Sequence, residues 1–459
     1  MSSNVFISVP PALAGLCTHA QAAVGGPNVE ATVMRLRRYV YVKAQALFLM
    51  ASRFNWMPEW EVKGAFALHL WQDAEHGTWF RRRVTEMRTP PHHLDKVPDP
   101  ALGAFLDELK SASTPLELLV AIYEVLKPAC AEAFSEHLAQ SNPIADQPTR
   151  RLIQFALDEE KTQIEWGKRA IFALLAQSEE PGTELALRDW RNHLEGFLFA
   201  AGKVNGDASG VSGRPAAPLP RKAVTIAQIP RRDARFERVW NSRGVVPTAD
   251  RAVHERLWWM MNVRLQEMHV AELIASVIAE WRGQPWEFYH DLARHLWDET
   301  RHCMLGEVAF VGQGVEVASL PAHIGFAEYP NIQLTPPDRY AFLWGIEQGL
   351  MTKTGKQAEV ALAKAGGDEL ATVFQDFDWA DEVLHAQIGR KWLEPHFASR
   401  EAMLAVYERV RPAYDQMKDE DVSLPGRDWW PAFYEKHLKH LASQQEPSND
   451  ASPSADDGY

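Results

Sequence analysis

Six acidic and histidine residues in the second half of the chain have the types and spacing of metal ligands. They are Glu267, Glu299, His302, Glu347, Glu382 and His385. Four of them form two Glu-x-x-His pairs. Residues three apart lie on one face of a helix, so each Glu and its His can reach the same point. One Glu from each of two further helices, together with two such pairs, is the ligand set of a di-iron or di-manganese helical bundle. Four carboxylates neutralise two divalent ions, and imidazole with carboxylate suits iron, with manganese as a second candidate.

The distances of these residues from the predicted turns indicate that they converge. Glu267 and Glu299 each lie 16 residues from Gly283, in a predicted turn. The two Glu residues of the third and fourth helices are likewise about equally far from a break at 366–367. At about 1.5 Å of rise per residue, equal depth on antiparallel helices brings the four carboxylates together. Glu272 competes less well for the first-helix position, because its midpoint with Glu299 misses the turn.

The elements that must position these ligands are helices. Apolar residues recur at three- and four-residue spacing and strand-like alternation is almost absent, which predicts an all-α protein. The predicted helices form two blocks of four, separated by a Gly-, Pro- and Ser-rich linker or strap at 202–250. The first block covers 30–55, 58–87, 115–140 and 147–177, and the second covers 251–282, 285–313, 337–365 and 367–393. A helical extension at 416–442 and a disordered acidic tail at 443–459 follow.

The two blocks repeat each other, and the first carries a weaker ligand set. His69–His76 aligns with His295–His302 at a shift of 226 residues, and Glu160–Gly167 aligns with Glu382–Gly389 at a shift of 222. Tyr41 and Gln163 replace the first-helix Glu and the fourth-helix His. The first block retains Asp73, His76, Glu124 and Glu160. This set under-supplies a two-metal site, so we expect a structural role for the first block, with a mononuclear metal site as the alternative.

The motif around the first Glu-x-x-His pair extends beyond the ligands. Asp298-Glu299-Thr300-Arg301-His302 fits the D-E-x-R-H motif of soluble di-iron oxygenases, acyl-carrier desaturases and bacterial multicomponent monooxygenases. Asp381-Glu382-Val383-Leu384-His385 is similar to its partner motif, without the arginine. On these residues the chain resembles the ferritin-like superfamily of di-iron carboxylate proteins, over 250–395 and, as a degraded copy, over 29–177.

The resemblance implies two tandem ferritin-like four-helix bundles, a degenerate domain at 29–201 and a di-iron domain at 251–415. In the families named, the Asp before each Glu forms a hydrogen bond to a ligating His. Asp298 and Asp381 are therefore expected to fix the imidazoles, with Arg301 in the same polar network. Storage ferritins generally lack these residues, so the motif favours oxygen activation over iron storage.

The function expected from the resemblance is that of an O2-activating non-haem di-iron oxidoreductase of the monooxygenase or oxidase class. Its cofactor would be two Fe ions, with Mn as a second occupant and O2 as co-substrate. It would act on a small organic substrate by hydroxylation, N-oxygenation or desaturation, with electrons from a reductase or ferredoxin-like partner. A ferroxidase or iron-sequestering protein without an organic substrate is the alternative, and a non-catalytic helical scaffold is a third. The sequence identifies neither the substrate nor the oligomeric state, and a homodimer is left open.

Several residues near the ligands have a more ordinary interpretation. His69 and His295 are expected in the core or an interface, His269 on another face of its helix, and Cys303 as a small buried residue. The cavity walls could include large side chains that are equally typical of plain core. They are Trp258, Trp259, Trp297, Trp344 and Met351.

Composition excludes several classes of protein. The 459 residues carry a net charge of −13, which argues against a nucleic-acid binder. Cys17, Cys130 and Cys303 form no CxxC motif, so we expect neither a disulfide framework nor a thiolate zinc site. No stretch approaches the ~18 apolar residues of a membrane helix, and no basic segment precedes an apolar run at the start. A cytoplasmic protein with no membrane partner is therefore expected.

Overall fold

The computed structural model describes residues 10–88, 93–206, 217–221, 225–241, 246–420 and 429–445. Within these ranges nearly all regular structure is helical, which confirms the all-α prediction. The described strands are a parallel pair of two residues each, β1 (Arg238–Val239) and β2 (Ala322–His323). No described helix has both the length and the hydrophobicity needed to cross a bilayer.

The chain divides into two compact units whose boundaries do not follow the sequence order. The first unit contains residues 1–231 and 274–297, and the second contains 232–273 and 298–459. The sequence instead predicts a division on either side of a linker at 202–250. Parts of this linker lie in each unit and are bonded there. In the first unit the Arg221 guanidinium donates to both carboxylate oxygens of Glu117, at 2.7 and 2.8 Å.

The helices that precede the predicted linker are, in chain order, α1 (His19–Ala22), α2 (Val29–Arg53), α3 (Trp60–Thr85), α4 (Pro100–Leu109), α5 (Pro115–Val120), α6 (Lys127–Gln140), α7 (Gln147–Ala176) and α8 (Thr183–Ala200). A π-helical segment, Ala121–Leu126, joins α5 to α6. Helices α1, α4 and α8 are additions to the four helices predicted for the block, and the π-helical segment interrupts the helix predicted at 115–140.

The remaining helices are α9 (Val253–Leu265), α10 (Met268–Glu280), α11 (Trp286–Val311), α12 (Gly325–Gln333), α13 (Pro336–Leu350), α14 (Lys356–Gly366), α15 (Glu369–Phe397), α16 (Arg400–Glu420) and α17 (Trp429–Gln445). Helix α17 continues to Gln445, and the rest of the tail predicted at 443–459 lies outside the described residues. Helix α11 belongs to the first unit as far as Trp297 and to the second from Asp298.

Two helices that the sequence predicts as continuous are interrupted, and each interruption lies beside a predicted ligand. The predicted helix 251–282 ends at Leu265 and restarts at Met268, so Glu267 lies in the break. The break is fixed by the Gln266 amide, which donates to the Pro321 carbonyl at 3.1 Å and accepts from the His323 backbone N–H at 2.8 Å. The predicted helix 337–365 is interrupted at 351–355, four residues after Glu347.

Local sequence explains where the long helices start. The Asn28 side chain accepts a hydrogen bond from the Ala31 N–H and caps α2. The Asp368 side chain accepts from the Ala371 N–H in the same way at the start of α15. The Thr335 hydroxyl accepts from the Asp338 N–H at the start of α13, where a proline occupies the first helical position.

Candidate metal centre

The second unit brings the six predicted ligands into its interior. Glu267 comes from the break before α10, the first Glu-x-x-His pair from α11, Glu347 from the end of α13, and the second pair from α15. All six side chains are buried, with exposed fractions of 8% or less. Charged groups at this depth are costly unless they are paired or bind a metal ion.

The buried acidic and histidine groups form two clusters that could each hold a metal ion. Within each cluster one ligand atom from every residue lies within 4.8 Å of the others. We call the clusters the His385 position and the His302 position. The His385 position contains Glu299, Glu347 and His385, and the His302 position contains Glu267, His302, Asp378 and Glu382. His295 lies one helical turn before Glu299 on the same face of α11 and is fully buried.

The two imidazoles are oriented in the same way. His302 Nδ1 lies 3.5 Å from a Glu267 oxygen and 3.4 Å from an Asp378 oxygen, whereas its Nε2 lies 3.2 Å from Asp381. His385 Nδ1 lies 3.2 Å from a Glu299 oxygen, and Nε2 of the same ring lies 3.4 Å from an Asp298 oxygen. A proton on Nε2, held by the aspartate, leaves the Nδ1 lone pair directed at the carboxylates, as a metal ligand requires.

The aspartates are paired crosswise between α11 and α15. Asp298 precedes a Glu of α11 and contacts the imidazole of α15, while Asp381 precedes a Glu of α15 and contacts the imidazole of α11. Arg301 Nη2 donates to both aspartates, at 2.5 and 2.6 Å. The pKa of Asp298 is lowered because its bonds to His385 and Arg301 outweigh burial, which alone would raise it. Both aspartates and Arg301 therefore lie beside the two imidazoles in one polar network.

Three residues of the centre, Arg264, Lys356 and Asp378, are not among those that the sequence predicts. Arg264 Nη1 donates to Glu267 at 2.9 Å and to Asp378. Lys356 Nζ donates to Asp378 at 2.8 Å and lies 2.9 Å from a Glu382 oxygen. Helical spacing offered a signal for two of the three, because Arg264 lies three residues before Glu267 and Asp378 lies four before Glu382. Lys356 follows the break at 351–355, which the sequence does not predict, so no helical spacing relates it to a ligand.

The centre carries more negative than positive charge. Among the described residues, and with both imidazoles neutral as metal binding requires, seven buried carboxylates face three cations, which leaves four negative charges. The carboxylates are Glu267, Asp298, Glu299, Glu347, Asp378, Asp381 and Glu382, and the cations are Arg264, Arg301 and Lys356. Two divalent ions would neutralise this excess.

The imidazole pKa values report the same excess. Burial is the largest single influence on the pKa of His302 and lowers it. Asp378, Asp381 and the neighbouring Glu residues together raise the pKa by more than burial lowers it, so the pKa of His302 is well above 6.5. The pKa of His385 is raised in the same way by Asp298, Glu299 and Glu382. The carboxylates therefore favour additional positive charge at both rings.

Three buried polar atoms of the His302 position form no hydrogen bond of normal geometry with the described residues, although two of them, Glu267 Oε2 and His302 Nδ1, lie 3.5 Å apart. They are Glu267 Oε2, His302 Nδ1 and Glu382 Oε2. Buried polar atoms without partners are rare, because each loses its hydration on folding. A metal ion bound by these atoms would satisfy all three, so the donor set fits the ion that the sequence predicts.

Three residues that the sequence places near the ligands do not belong to either candidate metal position. Glu272 is fully buried, but both of its oxygens accept from Arg232, so it is already neutralised. His269 packs against His323, with ring centroids 4.7 Å apart. The Cys303 thiol is buried and donates to a backbone carbonyl at 3.2 Å.

The second unit has two surface cavities whose walls include sequence neighbours of residues in the centre. One has a volume of about 390 Å³ and includes Gln348, Met351 and Val383, which adjoin the third- and fourth-helix ligands in sequence. The other has a volume of about 360 Å³ and includes Trp259 and Glu359. Met351 and Trp259, two of the predicted wall residues, thus line cavities. The other three are packed: Trp258 stacks on His437, Trp297 stacks on Trp71 and Trp344 is fully buried.

The first unit contains a related cluster in which lysines contact the carboxylates. Asp73, His76 and Glu160, three of the four residues that the first block retains, come together. Lys43 Nζ lies 2.8 Å from Asp73 and also contacts Glu160, while Lys127 Nζ lies 2.6 Å from Asp73 and 3.5 Å from Glu160. The pKa of Asp73 is lowered because the two ammonium groups outweigh burial. Two lysines thus neutralise two buried carboxylates without a metal ion.

Glu124, a carboxylate that the sequence retains for this cluster, lies elsewhere. It is 3.6 Å from Arg191 and is part of the π-helical segment. A π-helical turn takes up an extra residue and rotates the face that follows it, so Lys127 points into the cluster instead. Tyr41 is buried, and the Gln163 amide donates to Gln72 at 2.8 Å.

Comparison with protein-family models, with curated proteins and with solved structures found no significant match to this chain.

Proposed function

We propose that the second unit binds two metal ions, iron with manganese as the second candidate, in a ferritin-like four-helix arrangement. The observation that carries this proposal is the pair of imidazoles, each held at Nε2 by an aspartate and turned at Nδ1 toward buried carboxylates. The four uncompensated negative charges of the centre support it, because they match two divalent ions. The ligands would be the six predicted residues together with Asp378.

We further propose that the protein is an oxidoreductase that activates O2 and oxidises a small organic substrate. Bound iron would supply the redox chemistry that no side chain of this centre can perform. The chain itself would contribute fixed imidazole tautomers through Asp298 and Asp381, and a buried, water-poor setting for the reaction. The cavity beside Met351 supports an organic substrate, because its wall adjoins Glu347 and Glu382 in sequence. Electrons would come from a reductase or ferredoxin-like partner.

The first unit would serve as a structural bundle. Its buried carboxylates are already neutralised by Lys43 and Lys127, so a divalent ion there would add uncompensated positive charge.

Anaerobic loading with Fe(II), followed by metal analysis and O2 exposure under optical and Mössbauer observation, tests the proposal. We expect about two irons per chain, in line with the two-metal ligand set. Glu299→Ala should abolish loading, because it removes a ligand from the interior. Glu287→Ala, on the exposed face of the same helix, should load normally. One zinc per chain, or no metal, would contradict the proposal.

The same experiment separates an oxygenase from a ferroxidase. An oxygenase should keep its two irons through repeated reduction and O2 exposure. A ferroxidase should instead continue to oxidise added Fe(II) and accumulate ferric iron beyond two per chain. The second result would exclude an organic substrate as the reason for O2 consumption.

A further inference from the structure

Lys356 is the least expected member of the metal centre. Its side chain is 1% exposed, and its Nζ donates to both oxygens of Asp378, at 3.0 and 2.8 Å. The same nitrogen lies 2.9 Å from Glu382 Oε1. Asp378 and Glu382 are two of the four members of the His302 position. The ammonium group therefore engages oxygen atoms that a metal ion at this position would need.

The Lys356 ammonium group and a divalent metal ion cannot both bind these oxygens without weakening each other's binding. Both Asp378 oxygens bond to Lys356, and one of them also accepts from Arg264. Each fixed positive charge within a few ångströms opposes the binding of another cation. In the first unit this competition is complete, because Lys43 and Lys127 neutralise both buried carboxylates, those of Asp73 and Glu160.

Of the two cations, Lys356 is the one that can leave. Arg264 is held by three carboxylates, those of Glu267, Asp378 and Glu359. Lys356 is the first residue of α14 and follows the non-helical segment 351–355. Its flexible four-carbon stem lets the ammonium group move without rearranging a helix.

We infer that Lys356 competes with a metal ion for the His302 position. In the metal-free protein its ammonium group binds Asp378 and Glu382, and this contact lowers the affinity of the position for a metal ion. This inference rests on the proposed two-metal centre. It predicts that loading of the His302 position requires the displacement of an ammonium group, whereas the total number of metal positions is set by the carboxylates and imidazoles.

Anaerobic titration with Mn(II), followed by calorimetry and by the EPR signal of free Mn(II), tests this inference. Lys356→Met should tighten the binding of one of the two ions by at least about tenfold, because a unit charge is removed from contact distance. Lys364→Met removes the same charge from an exposed position on the same helix and should bind like the wild type. Adding His302→Gln to Lys356→Met should abolish the tightened step, whereas adding His385→Gln should preserve it.

Stability provides a second readout that does not depend on the affinity measurement. Without metal, Lys356→Met leaves two buried carboxylates less neutralised, so its melting temperature should fall below that of the wild type. Saturating Mn(II) should raise the melting temperature of this variant more than that of the wild type, because a tighter ligand stabilises the folded state more. Lys356→Gln, which keeps a hydrogen-bond donor, serves in place of the Met variant if the latter does not fold.

The outcomes distinguish this inference from the proposed function. Two Mn(II) ions bound to the wild type, with unchanged or weakened binding in Lys356→Met and Lys356→Gln, would overturn the role of Lys356 and leave the metal centre intact. No Mn(II) or Fe(II) bound to any of these proteins would overturn the metal centre itself.

Discussion

Asp298 and Asp381 show how single residues make an imidazole into a ligand. Each carboxylate receives an Nε2–H from the ring on the opposite helix, and Arg301 bonds to both. This arrangement fixes which nitrogen of each ring carries the proton. The aspartates themselves contribute no atom to the two candidate positions.

At this scale we predict that Asp298→Asn weakens metal binding without removing a ligand. The amide can present its N–H to His385 and favour the wrong tautomer, so the affinity for Mn(II) should fall by about 10- to 100-fold. Calorimetric titration measures the change. Asp376→Asn, an exposed position on α15, is the control and should bind like the wild type. Equal affinities in all three proteins would show that the aspartate does not orient the ring.

The first unit makes a residue-scale prediction that does not involve metal. Lys127→Met removes a cation that bonds to both oxygens of Asp73, in a site where both side chains are fully buried. An uncompensated buried charge costs about 3–5 kcal/mol, and we expect the free energy of unfolding of the first unit to fall by that amount. Urea denaturation followed by circular dichroism measures it. Lys168→Met, at an exposed position of α7, should change the stability little, and equal losses in both variants would refute the argument.

At the scale of elements, close packing of the third and fourth helices sets the positions of their ligands. A Cβ atom on Gly389 of α15 would lie 2.3 Å from the Trp344 ring of α13. The aligned Gly167 of α7 approaches Tyr123 in the same way, with a Cβ at 2.1 Å. In each unit a glycine therefore packs against an aromatic ring from an earlier helical segment, α13 for α15 and the π-helical segment for α7. This repeated contact is independent of the ligands.

We predict that Gly389→Ala pushes α13 and α15 apart and misplaces Glu347 relative to His385. Overpacking of this kind costs about 1–3 kcal/mol, and metal affinity should fall with the stability. Gly349→Ala on α13 has no heavy atom within 4 Å of the added Cβ, so it should be neutral or slightly stabilising. Thermal unfolding and Mn(II) titration of both variants check this pair. A Gly389→Ala protein that matches Gly349→Ala would show that the close approach is not required.

At the scale of the whole molecule, the first unit is completed by residues that follow the linker. In the first unit Tyr289 packs edge-on against Phe48 with centroids 4.8 Å apart, and the Trp286 indole N–H donates to the Thr78 hydroxyl at 2.8 Å. His290 lies 2.8 Å from Glu75. A truncated chain that ends at the predicted linker would lack all of these contacts, so the first unit should not reach full stability without residues 274–297.

The His290–Glu75 pair gives this arrangement a pH dependence. Burial lowers the pKa of His290, but Asp291 and Glu75 outweigh it and raise the pKa to about 9. Because the folded pKa lies above the ordinary value of about 6.5, the stabilisation is complete below pH 6.5 and is lost as the pH rises through 9. His290→Gln should cost about 3 kcal/mol at pH 6 and almost nothing at pH 10.

Urea unfolding of the wild type and the variant at the two pH values measures this difference. His396→Gln, near the C-terminal end of α15, is a matched substitution outside the first unit. A loss that stays the same at pH 10 would mean that His290 acts through packing and not through its charge.

The sequence by itself determined the all-α class, most helix positions and the six residues that come together in the second unit, because helical periodicity and a paired motif are local signals. The breaks at Glu267 and at 351–355 could not be predicted from local sequence. The first depends on hydrogen bonds between the Gln266 side chain and backbone groups more than 50 residues further along the chain. Only the tertiary structure revealed Arg264 and Lys356 among the carboxylates, and Lys43 and Lys127 in the first unit. Charge balance in a buried cluster depends on which long side chains reach it from other elements, and no spacing along one helix encodes that.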